Sequence, residues 1–172
     1  MPFRASRRVL TAACLLGCGL IAPAAAQAAG CSPSACLPKT GTYSGPNPQG
    51  LKSSLGPTTI TMKVAYRKAG KKVKSSYGNS LEEASSYLRY TCASKTNPWV
   101  EVGAALPALQ PVKIKADGKA RVVVPAQFSA GVHTWTFRFK RDSVTGHVSG
   151  TYTSSEGEAC KVSVDFRAKL KR

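Results

Sequence analysis

Alternation with a period of two is the feature that most restricts this chain. Residues 59–66 set Ile60, Met62, Val64 and Tyr66 on one side and Thr59, Thr61 and Lys63 on the other. Val112 and Ile114 face the same way as Val122 and Val124 across an Asp117-Gly118 turn, a dipeptide that marks a hairpin when alternating runs flank it. Residues 132–140 send Trp135, Phe137 and Phe139 one way and Thr134, Thr136, Arg138 and Lys140 the other. Residues 161–170 repeat the pattern, with Val162, Val164, Phe166, Ala168 and Leu170 inward. Side chains of an extended strand point alternately to its two faces, so such runs bury one face and wet the other, as antiparallel sheets do.

The links at 68–71, 117–118, 143–146 and 154–157 are short and rich in Gly, Asp and Ser. Short links predict that neighbouring strands pair in order, giving an all-β antiparallel meander of about eight to ten strands forming a barrel or sandwich. One stretch breaks the period. Ser80 with Glu83 three residues on spells a capping box, which predicts a short helix near 81–86.

The first 28 residues read as a secretory signal peptide. Arg4, Arg7 and Arg8 precede an apolar run, and Ala26 and Ala28 are the small residues of a cut after Ala28. Two variants compete. Leu15-Leu16-Gly17-Cys18 resembles a lipobox, which would anchor the chain as a lipoprotein at Cys18, and Ser6-Arg7-Arg8 resembles a twin-arginine export signal. Leu37-Pro38-Lys39-Thr40-Gly41 resembles a wall-sorting signal, but such signals work near a C-terminus ahead of an apolar stretch. Here it follows the leader and precedes the whole domain, so it is a coincidence of spelling.

A cut after Ala28 leaves 144 of the 172 residues, a size that builds one core. The expected organisation is an N-terminal segment at 29–40 and a single β domain at 41–172. Cys31, Cys36, Cys92 and Cys160 remain, and an even count in an exported chain reads as two disulfides with three possible connectivities. Cys92–Cys160, both in apparent strands, and Cys31–Cys36, a local clasp over 29–40, are the favoured pairs. The rival reading, a zinc site, lacks a C-x2-C pair. No metal or cofactor is expected.

The glycines, cysteines and aromatics follow an order. Gly41-x-Tyr43-Ser44-Gly45 comes first, then Gln49-Gly50, Cys92 in a middle strand and residues 111–118 before a hairpin. Gly146-x-Val148-Ser149-Gly150-Thr151-Tyr152 follows, and Cys160 with Val164-x-Phe166-x-Ala168 closes it. This order resembles a group of small, largely uncharacterised exported all-β proteins of high-GC bacteria, over most of residues 41–170. The resemblance implies a fold and an exported location. It rests on turn glycines, two cysteines and strand apolars, so it carries over no functional residue. By fold analogy alone, the Gly-x-aromatic opening and the meander are similar to lipocalin- and avidin-like barrels.

Catalytic motifs are absent: no G-x-S-x-G elbow, no H-E-x-x-H and no Gly-rich phosphate loop. His133 falls on the face of Trp135 near its rim and His147 on the outward face. A set built from His133 and Asp165 fails because the two alternate to opposite faces. Glu82-Glu83, Glu156 and Glu158 fall in apparent loops, and nothing in their spacing brings two carboxylates across one bond.

Charge is more informative. Loss of Arg4, Arg7 and Arg8 with the leader leaves 22 Lys and Arg against 8 Asp and Glu, a formal charge near +14. That attracts polyanions. Outward positions on successive strands are Lys113 and Lys115, Lys119 and Arg121, and Arg138 and Lys140, six cations on one face with no acid among them. Arg67, Lys68, Lys71, Lys72 and Lys74 crowd a second hairpin. The plain alternative is that these cations blunt sheet edges and solubilise the chain. The favoured expectation is a secreted, periplasmic or cell-surface β-domain without catalysis. It would act at the cell envelope by binding an anionic wall polymer or membrane surface through the basic face. Nucleic acid is disfavoured because Trp135, Phe137 and Phe139 point inward, away from stacking. Two alternatives stay open. One is a small-molecule carrier with Trp99, Trp135 and tyrosines at a barrel mouth. The other is a secreted hydrolase whose polar groups converge only in the fold.

Overall fold

The structure, a computed structural model, describes residues 36–51, 59–96, 98–106, 111–125 and 131–172. The expected leader at 1–28, Cys18 and Cys31 lie outside the described residues, and with Cys31 so does the expected Cys31–Cys36 clasp. Where the sequence alternates, the backbone is extended. The strands are β1 (Gly41–Pro46), β2 (Thr59–Lys68), β3 (Lys71–Val73), β4 (Ser80–Cys92), β5 (Trp99–Leu106), β6 (Val112–Lys113), β7 (Lys119–Val124), β8 (Val132–Phe139), β9 (Ser143–Thr153) and β10 (Ala159–Leu170). They make one antiparallel sheet in the order β5-β4-β2-β1-β10-β9-β8-β7, with β3 beside β2 and β6 beside β4.

The sheet closes partly on itself because β1 is short. The C-terminal end of β10 pairs with β1, Leu170 opposite Tyr43, while its first residues reach β4, with Cys160 opposite Cys92. β4, β2, β1 and β10 therefore form a ring, and the Cys92–Cys160 disulfide fastens it at the closing point. Between Ser85, where β2 leaves β4, and Thr91, where β10 joins it, β4 would have an unpaired edge. Side-chain amides fill it. Asn47 Nδ2 donates to the Tyr87 carbonyl at 2.7 Å. Gln49 donates to the Arg89 carbonyl at 2.8 Å and accepts from the Arg89 amide at 2.6 Å. One glutamine side chain thus supplies both halves of a strand pairing, and the backbone groups are satisfied.

The short helix expected near 81–86 is not formed; β4 runs straight through it. Lys63 pairs with Glu83 but Val64 pairs with Leu81, so Glu82 is an extra residue, a β-bulge. The bulge shifts the phase by one, which turns both Leu81 and Ala84 inward. Ser80, read as the cap of that helix, instead donates its hydroxyl to the Glu82 carboxylate at 2.8 Å.

The inward face is packed with aromatics. Trp135 and Phe137 stack at 6.0 Å and Phe137 and Phe139 at 5.9 Å, while Phe166 meets Phe137 edge-on at 5.7 Å. Tyr43, Tyr90, Ile60, Leu88 and Val148 are fully buried beside them. These described side chains form one buried cluster on the inward face. Trp99, placed at a barrel mouth by the carrier reading, is 53 % exposed with the Arg89 guanidinium 4.6 Å above its ring. His133 is fully buried, not at the rim, and Tyr90 Oη lies 2.6 Å from its Nδ1. Among the described residues no helix is long and apolar enough to cross a membrane.

Candidate anion-binding face

The outward face of β7 to β10 can be laid out row by row from the ladder register. Lys119, Arg138, Thr145 and Arg167 sit opposite one another across the four strands. The next row is Arg121, Thr136, His147 and Asp165, and the third is Val123, Thr134, Ser149 and Ser163. These side chains face out because Val124, Trp135, Phe137, Val148 and Phe166, which alternate with them, are buried. With strands about 5 Å apart, Lys119 and Arg138 are neighbours and Arg167 lies about 10 Å beyond Arg138. A shallow depression of about 480 Å3 opens among Lys119, Arg138, Arg167, His147 and Asp165. Its floor includes Gly146, where a Cβ would strike the Phe166 ring and the Thr136 carbonyl.

Of the six cations expected on one sheet face, Lys119, Arg121 and Arg138 are there. Lys140 lies just past the end of β8, its amide donating to the Ser143 carbonyl at 2.8 Å. Lys113 and Lys115 depart. β6 pairs with β4, setting Lys113 opposite Ser80, and Lys115 begins the turn into β7, its amide donating to the Lys119 carbonyl at 2.8 Å. The expectation of no acid among them is also overturned. Asp117 Oδ2 is 3.0 Å from Lys119 Nζ, and Lys119, with further help from Lys115, holds the Asp117 carboxyl below its usual range. In their place the structure brings in Arg167 and, further along β10, Lys161 and Lys169. Among the described residues, no carboxylate forms an ion pair with Arg121, Arg138 or Arg167.

The hairpin cluster divides differently. Arg67 and Lys72 are engaged by Glu82, at 2.8 and 3.2 Å, and so compensate a buried carboxylate. Lys68, Lys71 and Lys74 remain exposed on the β2–β3 ribbon.

At the margin of the face the polar groups converge in a way no motif announced. His147 Nδ1 is 2.9 Å from Asp165 Oδ1, and His147 Nε2 is 3.2 Å from Ser163 Oγ. His133 and Asp165 lie on opposite faces, as alternation requires, and the histidine that meets Asp165 is His147. Among the described residues no group of His, Cys, Asp and Glu could hold a metal ion. Compared with family models, curated proteins and solved structures, the chain matches none.

Proposed function

We propose that the protein is an exported β-domain that acts at the cell envelope by binding polyanions, with the outward face of β7–β10 as the binding surface. The carrying observation is the row Lys119, Arg138 and Arg167. Three cations from three strands ring one depression, with Lys119 and Arg138 directly opposite each other. Like charges placed so destabilise a sheet, and a bound polyanion removes that repulsion. Export is supported by the signal-like residues 1–28 and by the Cys92–Cys160 disulfide, which persists in oxidising compartments. Anionic wall polymer and anionic membrane surface share the chemistry this face recognises.

The test is retention of the oxidised protein on a polyanion resin and on isolated cell envelopes across a salt series. Binding that falls linearly on a log–log plot is expected. Arg138→Glu with Arg167→Glu should flatten that slope, whereas Lys68→Glu with Lys71→Glu should change it little. Flow-through at low salt, or equal effects of the two pairs, refutes the assignment.

A further inference from the structure

Ser163, His147 and Asp165 stand in fixed register on two adjacent strands, and their hydrogen bonds run in the order that activates a serine. Asp165 lies directly across the ladder from His147, and Ser163 is two residues earlier on the same outward face. A carboxylate only accepts, so in the neutral imidazole Nδ1 carries the proton toward Asp165. Nε2 is then the acceptor for the Ser163 hydroxyl at 3.2 Å. Nucleophile, base and orienting acid are thereby connected, at a nucleophile distance within the looser range found before substrate binds.

The two sides of the imidazole differ. On one side is the depression ringed by Lys119, Arg138 and Arg167. On the other, a second depression of about 410 Å3 opens on Ser163 and is lined by Val132, Thr134, Ser149 and Lys161. Val132, 43 % exposed, gives it an apolar wall. Ser149, directly opposite Ser163, and Lys161, two residues before it on the same face, are donors for a developing oxyanion. The site is open, with the His147 and Asp165 side chains 40 and 91 % exposed, which suits a polymer more than a small enclosed ligand.

We infer that Ser163 is the nucleophile of an esterase that removes O-acyl groups from an anionic polymer. The polymer lies over the cation-ringed depression and the acyl group over the second. Ser163 Oγ forms a bond to the acyl carbon as its proton passes to His147 Nε2. The ester C–O bond breaks, and the departing polymer oxygen takes that proton. Water then attacks the acyl-serine with His147 as base, releasing the carboxylic acid and restoring the hydroxyl. The substrate class rests on the polyanion-binding reading; the nucleophile rests on its own geometry.

A fluorophosphonate probe on the full, oxidised chain tests the nucleophile. Peptide mass spectrometry should find the label on Ser163, with S163A unlabelled there. H147Q should be labelled at least about 100-fold more slowly, the usual contribution of a general base. Unchanged melting temperatures should show that these surface variants fold. No label at Ser163, or a rate within about threefold of the parent in H147Q, overturns the nucleophile. Acetate release tests the substrate: O-acetylated polygalacturonate should be deacetylated and uncharged O-acetylated xylan should not. Equal release from both overturns the anionic substrate class. Polyanion retention of S163A reads the binding face separately. If S163A and parent both flow through while Ser163 is labelled, the binding reading fails and the nucleophile stands.

Discussion

Arg67 lays its guanidinium along Glu82, Nε 2.8 Å from Oε1 and Nη2 2.8 Å from Oε2, on a carboxylate only 3 % exposed. Ser80 Oγ donates to the same carboxylate at 2.8 Å and Lys72 Nζ stands 3.2 Å away. The bulge that inserts Glu82 into β4 therefore buries a charge and surrounds it with donors. Arg67 is the main reason its pKa falls to about 2, with Ser80 and Lys72 adding to the effect against desolvation. A carboxylate depressed in the folded state stabilises fully above its unfolded value, and the gain drains away as pH falls through that value toward about 2. Glu82→Gln should cost about 2–3 kcal/mol at neutral pH. It should also flatten the loss of stability between about pH 4.5 and 2 in urea titrations. An unchanged acid profile in Glu82→Gln would show that the pair contributes nothing.

His133 gives a second, separable acid sensitivity. Burial alone pushes its imidazole below the usual range, and its hydrogen bond to Tyr90 holds it in the core. The unfolded chain therefore binds a proton more readily, so stability should fall as pH drops below about 6.5, by up to about 1.4 kcal/mol per unit. His133→Gln keeps a partner for Tyr90 and cannot titrate. Its stability should be flat from about pH 6.5 to 5, where the parent declines.

The β2–β3 turn is strained at a nameable place. Ala69 has φ of 48° and Gly70 φ of 79°, and two successive left-handed residues suit Asn-Gly far better than Ala-Gly. Ala69→Asn should stabilise by about 0.5–1 kcal/mol and raise Tm by about 2–4 °C. A Tm that falls would show that this turn does not hold its geometry in solution.

What the sequence made legible, and what it hid, divides along local and non-local lines. Trp135, Phe137 and Phe139 turn inward because extended backbone alternates, and no pairing partner is needed to see it. Cys92–Cys160 was readable for the same reason, from two cysteines in strands. Glu82 was not, because Ser80 with Glu83 spells a capping box, while the bulge at Glu82 exists only in the pairing of β4 with β2. The Ser163–His147–Asp165 set was within reach. Thr153 pairs with Ala159 around the 154–158 turn, and counting outward puts His147 opposite Asp165. Arg167 was already turned outward by alternation. That it shares a row with Arg138 and Lys119 depends on β10 lying beside β9, which in turn lies beside β8. The pairing of β6 with the start of β4, which removes Lys113 and Lys115 from the face, is likewise non-local.

Lys119 opposite Arg138 separates function from architecture, because the two make opposite demands there. If the cations only kept the chain soluble, nothing would favour facing them across a ladder; Asp117 offsets part of the repulsion on Lys119 alone. Arg138→Thr replaces a like-charge pair with one suited to a strand, so stability should rise by a few tenths of a kcal/mol, up to about 1. Retention on the polyanion resin should meanwhile fall and its salt slope flatten by about one charge. A variant more stable and less retentive is what a binding face under selection predicts. If retention is unchanged while stability rises, the charge at Arg138 has no part in binding. Any binding on this face would then rest on Lys119 and Arg167 without it.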